Sequence, residues 1–116
     1  MIRLAYSMSR DLAPFEVTSV AVTPGYLRSE SMLENWDLTE ENWRDAIPRA
    51  RGWEDSETPF FVGRAVAALE TDSNVSEKTG QVFNAGYLAL EYGFKDVDGQ
   101  VPLCYSGGGR FVCGFI

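Results

Sequence analysis

The stretch that most constrains this chain is Glu16-Val17-Thr18-Ser19-Val20-Ala21-Val22-Thr23, which breaks off at Pro24-Gly25. A run so rich in Val, Thr and Ala suits a strand covered on both faces, as in a parallel sheet. Pro24-Gly25 ends it by turn chemistry, and a polar segment follows. Open α/β sheets bind ligands just beyond the carboxyl ends of their strands. Residues 24–29 are therefore the first place to look for a site.

The elements around this run predict a βαβ-like order. Leu4, Ala5, Met8 and Leu12 share one helical face. No capping residue precedes Ile2, so the chain reads as starting inside a helix. Pro14 ends that helix, and Phe15 leads into the strand. Further on, Thr58 caps and Pro59 opens a second helix, with Val62, Ala65, Val66 and Leu69 in one stripe. Gly63 and Ala67 are small enough for close helix contact. Residues 79–85 read as a second buried strand, parallel to the first and joined to it by the Pro59 helix. Residues 87–93 follow as a short helix closed by Gly93, and Asp96-Val97-Asp98-Gly99 reads as a tight turn.

Between the strand and the Pro59 helix lies a variable-looking segment. Thr39 is the expected cap of a short helix through Trp43 and Arg44, with Leu38 stapled to Trp43 and Pro48 at its end. Tyr26, Leu27, Met32, Leu33, Trp36 and Trp53 form a set of large apolar groups set among charges. The tryptophans read first as packing groups; for Tyr26 and Leu27, packing and lining a pocket are evenly balanced. Residues 101–116 carry one charge, Arg110, and three successive glycines. They read as an irregular tail without a functional account, since no Gly-Lys-Ser/Thr follows the glycines.

Composition closes several doors. With 116 residues the chain makes one domain, and a net charge of −7 without a basic block argues against nucleic acid and anionic membranes. No stretch is a membrane span or a signal peptide, so a cytoplasmic setting is expected. Cys104 and Cys113 are not in CxxC spacing and the chain has no histidine, which excludes the common zinc sites and the Ser-His-acid triad. The thiols are expected to be reduced. Asp96 to Gly99 is too short for an EF-hand. Glu30 and Glu34, one turn apart, read as a solvated face.

On these residues the chain over positions 1–100 resembles the C-terminal portion of the short-chain dehydrogenase/reductase family. The resemblance rests on the Pro24-Gly25 pair after a buried strand, and on the Ser29 hydroxyl four places later, where the family more often has Thr. Thr79-Gly80 before the last strand supports it. The resemblance implies a partial Rossmann-like α/β fold, its last two parallel strands flanked by helices, with a helical lid insertion over residues 26–58. It implies NAD or NADP as cofactor, with Pro24, Gly25, Leu27 and Ser29 binding it. It implies a small-molecule substrate under a lid carrying Tyr26, Met32, Leu33 and Trp36, and a homo-oligomer formed through the helix of Val62, Val66 and Leu69.

The family's Gly-rich turn and its Tyr-x-x-x-Lys pair are both absent from the sequence. Tyr6 and Arg10 have the spacing, but Arg stays protonated and the pair lies too far into the helix, so Tyr6 reads as a packing residue. No catalytic residue and no metal ligand is assigned. The expectation is a truncated NAD(P)-dependent oxidoreductase, inactive alone. The alternative is a non-catalytic α/β interaction or dimerisation module, using an open sheet edge and the Pro59 helix.

Overall fold

Helix α1 (Ile2–Leu12) leads through a 3₁₀ turn, Ala13–Phe15, toward strand β1 (Ala21–Thr23) in the computed structural model, which describes residues 2–49 and 53–102. The readings made for Cys104, Cys113 and the glycines at 107–109 lie outside the described residues. Helix α2 (Glu30–Asn35) and two 3₁₀ turns, Trp43–Arg49 and Trp53–Asp55, precede helix α3 (Pro59–Thr71). A further 3₁₀ turn, Val75–Lys78, brings the chain to strand β2 (Val82–Asn84) and helix α4 (Ala85–Tyr92).

β1 and β2 pair in parallel, with Ala21 opposite Val82, Val22 opposite Phe83 and Thr23 opposite Asn84. The two hydrophobic runs thus lie side by side in one direction with α3 in their connection, as the sequence predicts. β1 is shorter than the run suggests. Glu16 takes a left-handed conformation (φ 57°) that closes the preceding turn, so it is not part of a strand. From Ser19 onward the chain is tied to β2: the Ser19 N–H donates to Thr79 Oγ1 at 3.0 Å and Gly80 N–H donates to Ser19 O at 2.7 Å. β1 is half-buried rather than covered on both faces.

The core lies between α3, β2 and α4. Phe61, Ala65 and Leu69 at i, i+4 and i+8 turn inward and meet Phe83, Ala85, Leu88 and Ala89. Val62 packs half-buried at the margin, while Val66 is exposed, so the apolar stripe read from the sequence is rotated toward Phe61. Thr58 precedes α3 as expected, but its side chain makes no capping bond to the helix. Its hydroxyl donates to Asp96 Oδ1 and its N–H donates to Asp96 Oδ2 at 2.8 Å. A carboxylate from a distant turn anchors the helix start.

α1 shows a similar rotation. Its buried residues are Ala5 and Ser9, whereas Leu4 is 51% and Met8 43% exposed. The small residues allow close approach to Gly80, which sits at φ +79°, where a Cβ would come within 2.8 Å of Ser9 Oγ. Glycine is required there on both counts. Tyr6 lies beside Gly80 and is exposed rather than packed in a core. Among the described residues no helix is long and apolar enough to cross a membrane.

Candidate functional site

Beyond the carboxyl end of β1 the chain turns at Pro24-Gly25 and makes one parallel bridge, Leu27 to Glu57. The Glu57 N–H donates to Tyr26 O and the Arg28 N–H to Glu57 O, both at 2.8 Å. This bridge joins the segment leaving the strand to the segment entering α3.

An open pocket of about 470 Å³ lies at the same place, lined by Gly25, Tyr26, Leu27, Ser29, Ser31, Met32 and Asn35. Five residues singled out from the sequence therefore come together: Gly25, Leu27 and Ser29 with Tyr26 and Met32. Pro24 is half-buried at the turn itself. Ser29 Oγ accepts from the Met32 N–H at 3.2 Å and so caps α2. Sequence reading placed no helix here, though Ser29 followed by Glu30 is a sound start signal.

Leu33 and Trp36 sit elsewhere. Leu33 is buried with Leu38, Trp43, Ala46 and Trp53 in a second core belonging to residues 26–55, and Trp36 is half-buried against it. Trp36 stacks on Trp53 with ring centroids 6.0 Å apart, and Tyr26 and Trp43 meet the same indole edge-on at 6.4 Å each. The Trp53 indole N–H donates to Trp43 O at 2.8 Å. The helix expected from Thr39 does not form as read. Asn42 Oδ1 accepts from the Thr39 N–H at 2.6 Å, as in a capping box, but residues 40–42 form turns rather than an α-helical first turn. A 3₁₀ stretch then runs through Pro48 to Arg49.

Behind the pocket lies a buried polar node that sequence reasoning missed. Arg28 is 2% exposed. Its guanidinium donates to Ser56 O at 2.7 Å, Ser56 Oγ at 3.0 Å and Asp98 at 3.0 Å, and pairs with Glu40 at 3.4 Å. It also lies 4.0 Å over the Trp43 ring. Glu57 is 1% exposed, and its Oε1 has no hydrogen-bond partner among the described residues. Burial pushes the Glu57 carboxyl up to about 7; a hydrogen bond from the Gly25 backbone opposes this, nearby Asp96 adds to it, and Arg28 opposes it. Hydrophobic periodicity carries no sign of these groups, because buried charges are exceptions to it.

A two-stranded parallel α/β unit with a pocket at the strand ends defines the general class, and sequence comparison narrows it. The chain is 31% identical over 100 residues to dehydrogenase/reductase SDR family member 1 of Mus musculus, and equally so to that of Homo sapiens. In both cases the match covers 84% of this chain and 32% of the relative. No family model matches the chain. Over those residues it is similar to part of a short-chain dehydrogenase/reductase, and it spans about a third of the length of the curated relatives it matches.

Proposed function

We propose that this chain is the nicotinamide-side portion of an NAD(P)-dependent short-chain oxidoreductase, arranged as the end of a Rossmann-like sheet. The observation that carries the reading is the pocket past β1, where Gly25, Leu27 and Ser29 meet Tyr26 and Met32. A strand-end position, a pocket wall of main chain and apolar side chains, and room for a ring all fit a nicotinamide. Pro24, Gly25 and Leu27 would hold one face of that ring, and Ser29 would stand toward the phosphates. The cofactor, when bound, supplies or accepts the hydride. The chain's own part is to orient the ring, while Tyr26 and Met32 exclude water from the substrate side.

By itself the chain does not turn over substrate in this reading. Its sequence has neither a Gly-rich turn to cradle a pyrophosphate nor the Tyr-Lys pair that would move a proton. The purified chain, assayed with NADH or NADPH and a panel of aldehydes and ketones, is expected to give no protein-dependent loss of reduced-nicotinamide absorbance. Turnover would overturn this proposal.

A second reading, an interaction module, draws on the apolar groove between α1 and β1, lined by Leu4, Ala5, Met8, Val20 and Val22. Phe60 and Val66 on α3 are also exposed and available to a second copy of the chain, but Leu69 is committed to the core. Light scattering on the eluting chain tests this reading. A stable monomer at high concentration counts against it.

A further inference from the structure

The segment between β1 and α3 leaves and re-enters the body through a narrow neck, and one turn clips both sides of it. At the neck the Leu27–Glu57 bridge pairs the outgoing chain with the returning one. The 96–99 turn supplies a carboxylate to each. Asp98 Oδ2 accepts from the Arg28 guanidinium at 3.0 Å on the outgoing side, and Asp96 Oδ2 accepts from the Thr58 N–H at 2.8 Å on the returning side. The turn is itself fixed: the Gly99 N–H donates to Asp96 O at 2.9 Å and the Gln100 N–H to Asp98 Oδ1 at 3.0 Å. We propose that Arg28 is a positioning residue for the pocket beyond β1: anchored by Asp98, it holds Leu27 and Ser29 in the pocket wall and takes no part in binding a phosphate.

An arginine next to Ser29 invites the reading of an anion ligand, and the geometry assigns it a different task. Its side chain is wholly buried, and each of the three guanidinium nitrogens is engaged. Nη1 donates to Ser56 O at 2.7 Å and to Ser56 Oγ at 3.0 Å, Nη2 to Asp98, and Nε to Glu40 at 3.4 Å. The Trp43 ring lies 4.0 Å from the same group. Two carboxylates already meet its single charge, so it is shut away from the pocket with no net charge to offer a phosphate. Leu27 and Ser29, by contrast, line the pocket. Successive side chains of an extended segment point to opposite sides, so fixing Arg28 behind the wall fixes its two neighbours in front. The hold reaches further through the main chain. The Arg28 N–H donates to Glu57 O at 2.8 Å, and Ser29 caps α2, which brings Ser31, Met32 and Asn35 to the same pocket. That the pocket takes a nicotinamide rests on the preceding proposal; the clamp on its wall does not.

The test follows the labelled chain by nuclear magnetic resonance, with reduced nicotinamide mononucleotide and inorganic pyrophosphate as probes. In Asp98→Ala the amides of Leu27 and Ser29 should shift while that of Leu88, enclosed in the main core, holds its place. Reduced nicotinamide mononucleotide should bind that variant roughly fivefold more weakly than wild type. The Arg28 Nε–H of wild type should be indifferent to pyrophosphate. An Asp98→Ala chain that loses stability yet keeps both amides and the affinity would make the pair merely structural and overturn the proposal. So would a pyrophosphate-induced shift of the wild-type Arg28 Nε–H, which decides alone should the variant not fold. If the mononucleotide binds neither chain, the cofactor reading falls, and the Leu27 and Ser29 amides decide this one.

Discussion

Arg28 and Asp98, seventy positions apart in the chain, meet in a 3.0 Å charged hydrogen bond with the arginine side chain wholly buried. This pair ties the segment leaving β1 to the turn after α4. Arg28 also meets Ser56 and covers Trp43, so one guanidinium gathers three parts of the chain. Replacing it with alanine leaves Asp98 and the Ser56 carbonyl without their donor. A loss of about 3 kcal/mol is expected for Arg28→Ala in urea unfolding. Arg28→Lys should recover little of it, because an ammonium cannot reproduce the planar fork or the stacking.

Glu57 gives stability a pH dependence whose sign follows from its environment. Its ordinary value is 4.5, and in the folded chain it is raised to about 7. Between those values the folded chain keeps a proton that the unfolded chain has released, so folding is favoured less as pH rises. The contribution is complete below about pH 4.5 and is gone above about pH 7. Up to about 3 kcal/mol is lost across that window. Glu57→Gln should remove this slope, so the difference in unfolding free energy between variant and wild type grows with pH. A pH-independent difference would show that Glu57 titrates alike in both states.

Gly80 combines a left-handed backbone with a near neighbour. Gly80→Ala should destabilise by roughly 1–2 kcal/mol through its positive φ and the approach to Ser9 Oγ. Ser9→Ala in the same chain should restore the steric part and leave the conformational part, which thermal unfolding of the double variant separates.

The rotation of α3 makes a further contrast. Phe61→Ala should cost roughly 3–5 kcal/mol, since its ring is fully buried and meets Phe94 edge-on at 5.4 Å. Val66→Ala, on the same helix but exposed, should stay within about 0.5 kcal/mol in the same urea titration.

What the sequence made legible was the part governed by local rules. The β1 run, its Pro-Gly ending, the Thr58-Pro59 helix start, the Gly93 helix end and the 96–99 turn each carry a short-range signal, and each is present in the fold. The parallel pairing followed from two apolar runs separated by a helix. Helix faces were less legible, since Leu4, Met8 and Val66 satisfy apolar periodicity while remaining exposed in the described structure. At Thr39 the start signal is present, with Asn42 Oδ1 on the Thr39 N–H, but the chain beyond it winds as a 3₁₀ stretch from Trp43 to Arg49. The Arg28, Glu57, Asp96 and Asp98 node could not be read at all. Charged residues in loops look like surface, and only the fold brings positions 28, 57 and 96 together.

The central claim is that the turn beyond β1 is a nicotinamide wall. It is tested most directly with reduced nicotinamide mononucleotide, the half of the cofactor that needs no Gly-rich turn. Added to the labelled chain, it should shift the amides of Gly25, Leu27 and Ser29, with an affinity on the order of millimolar. Silence at those three amides at saturating ligand, or shifts confined to the α1–β1 groove, would contradict the account.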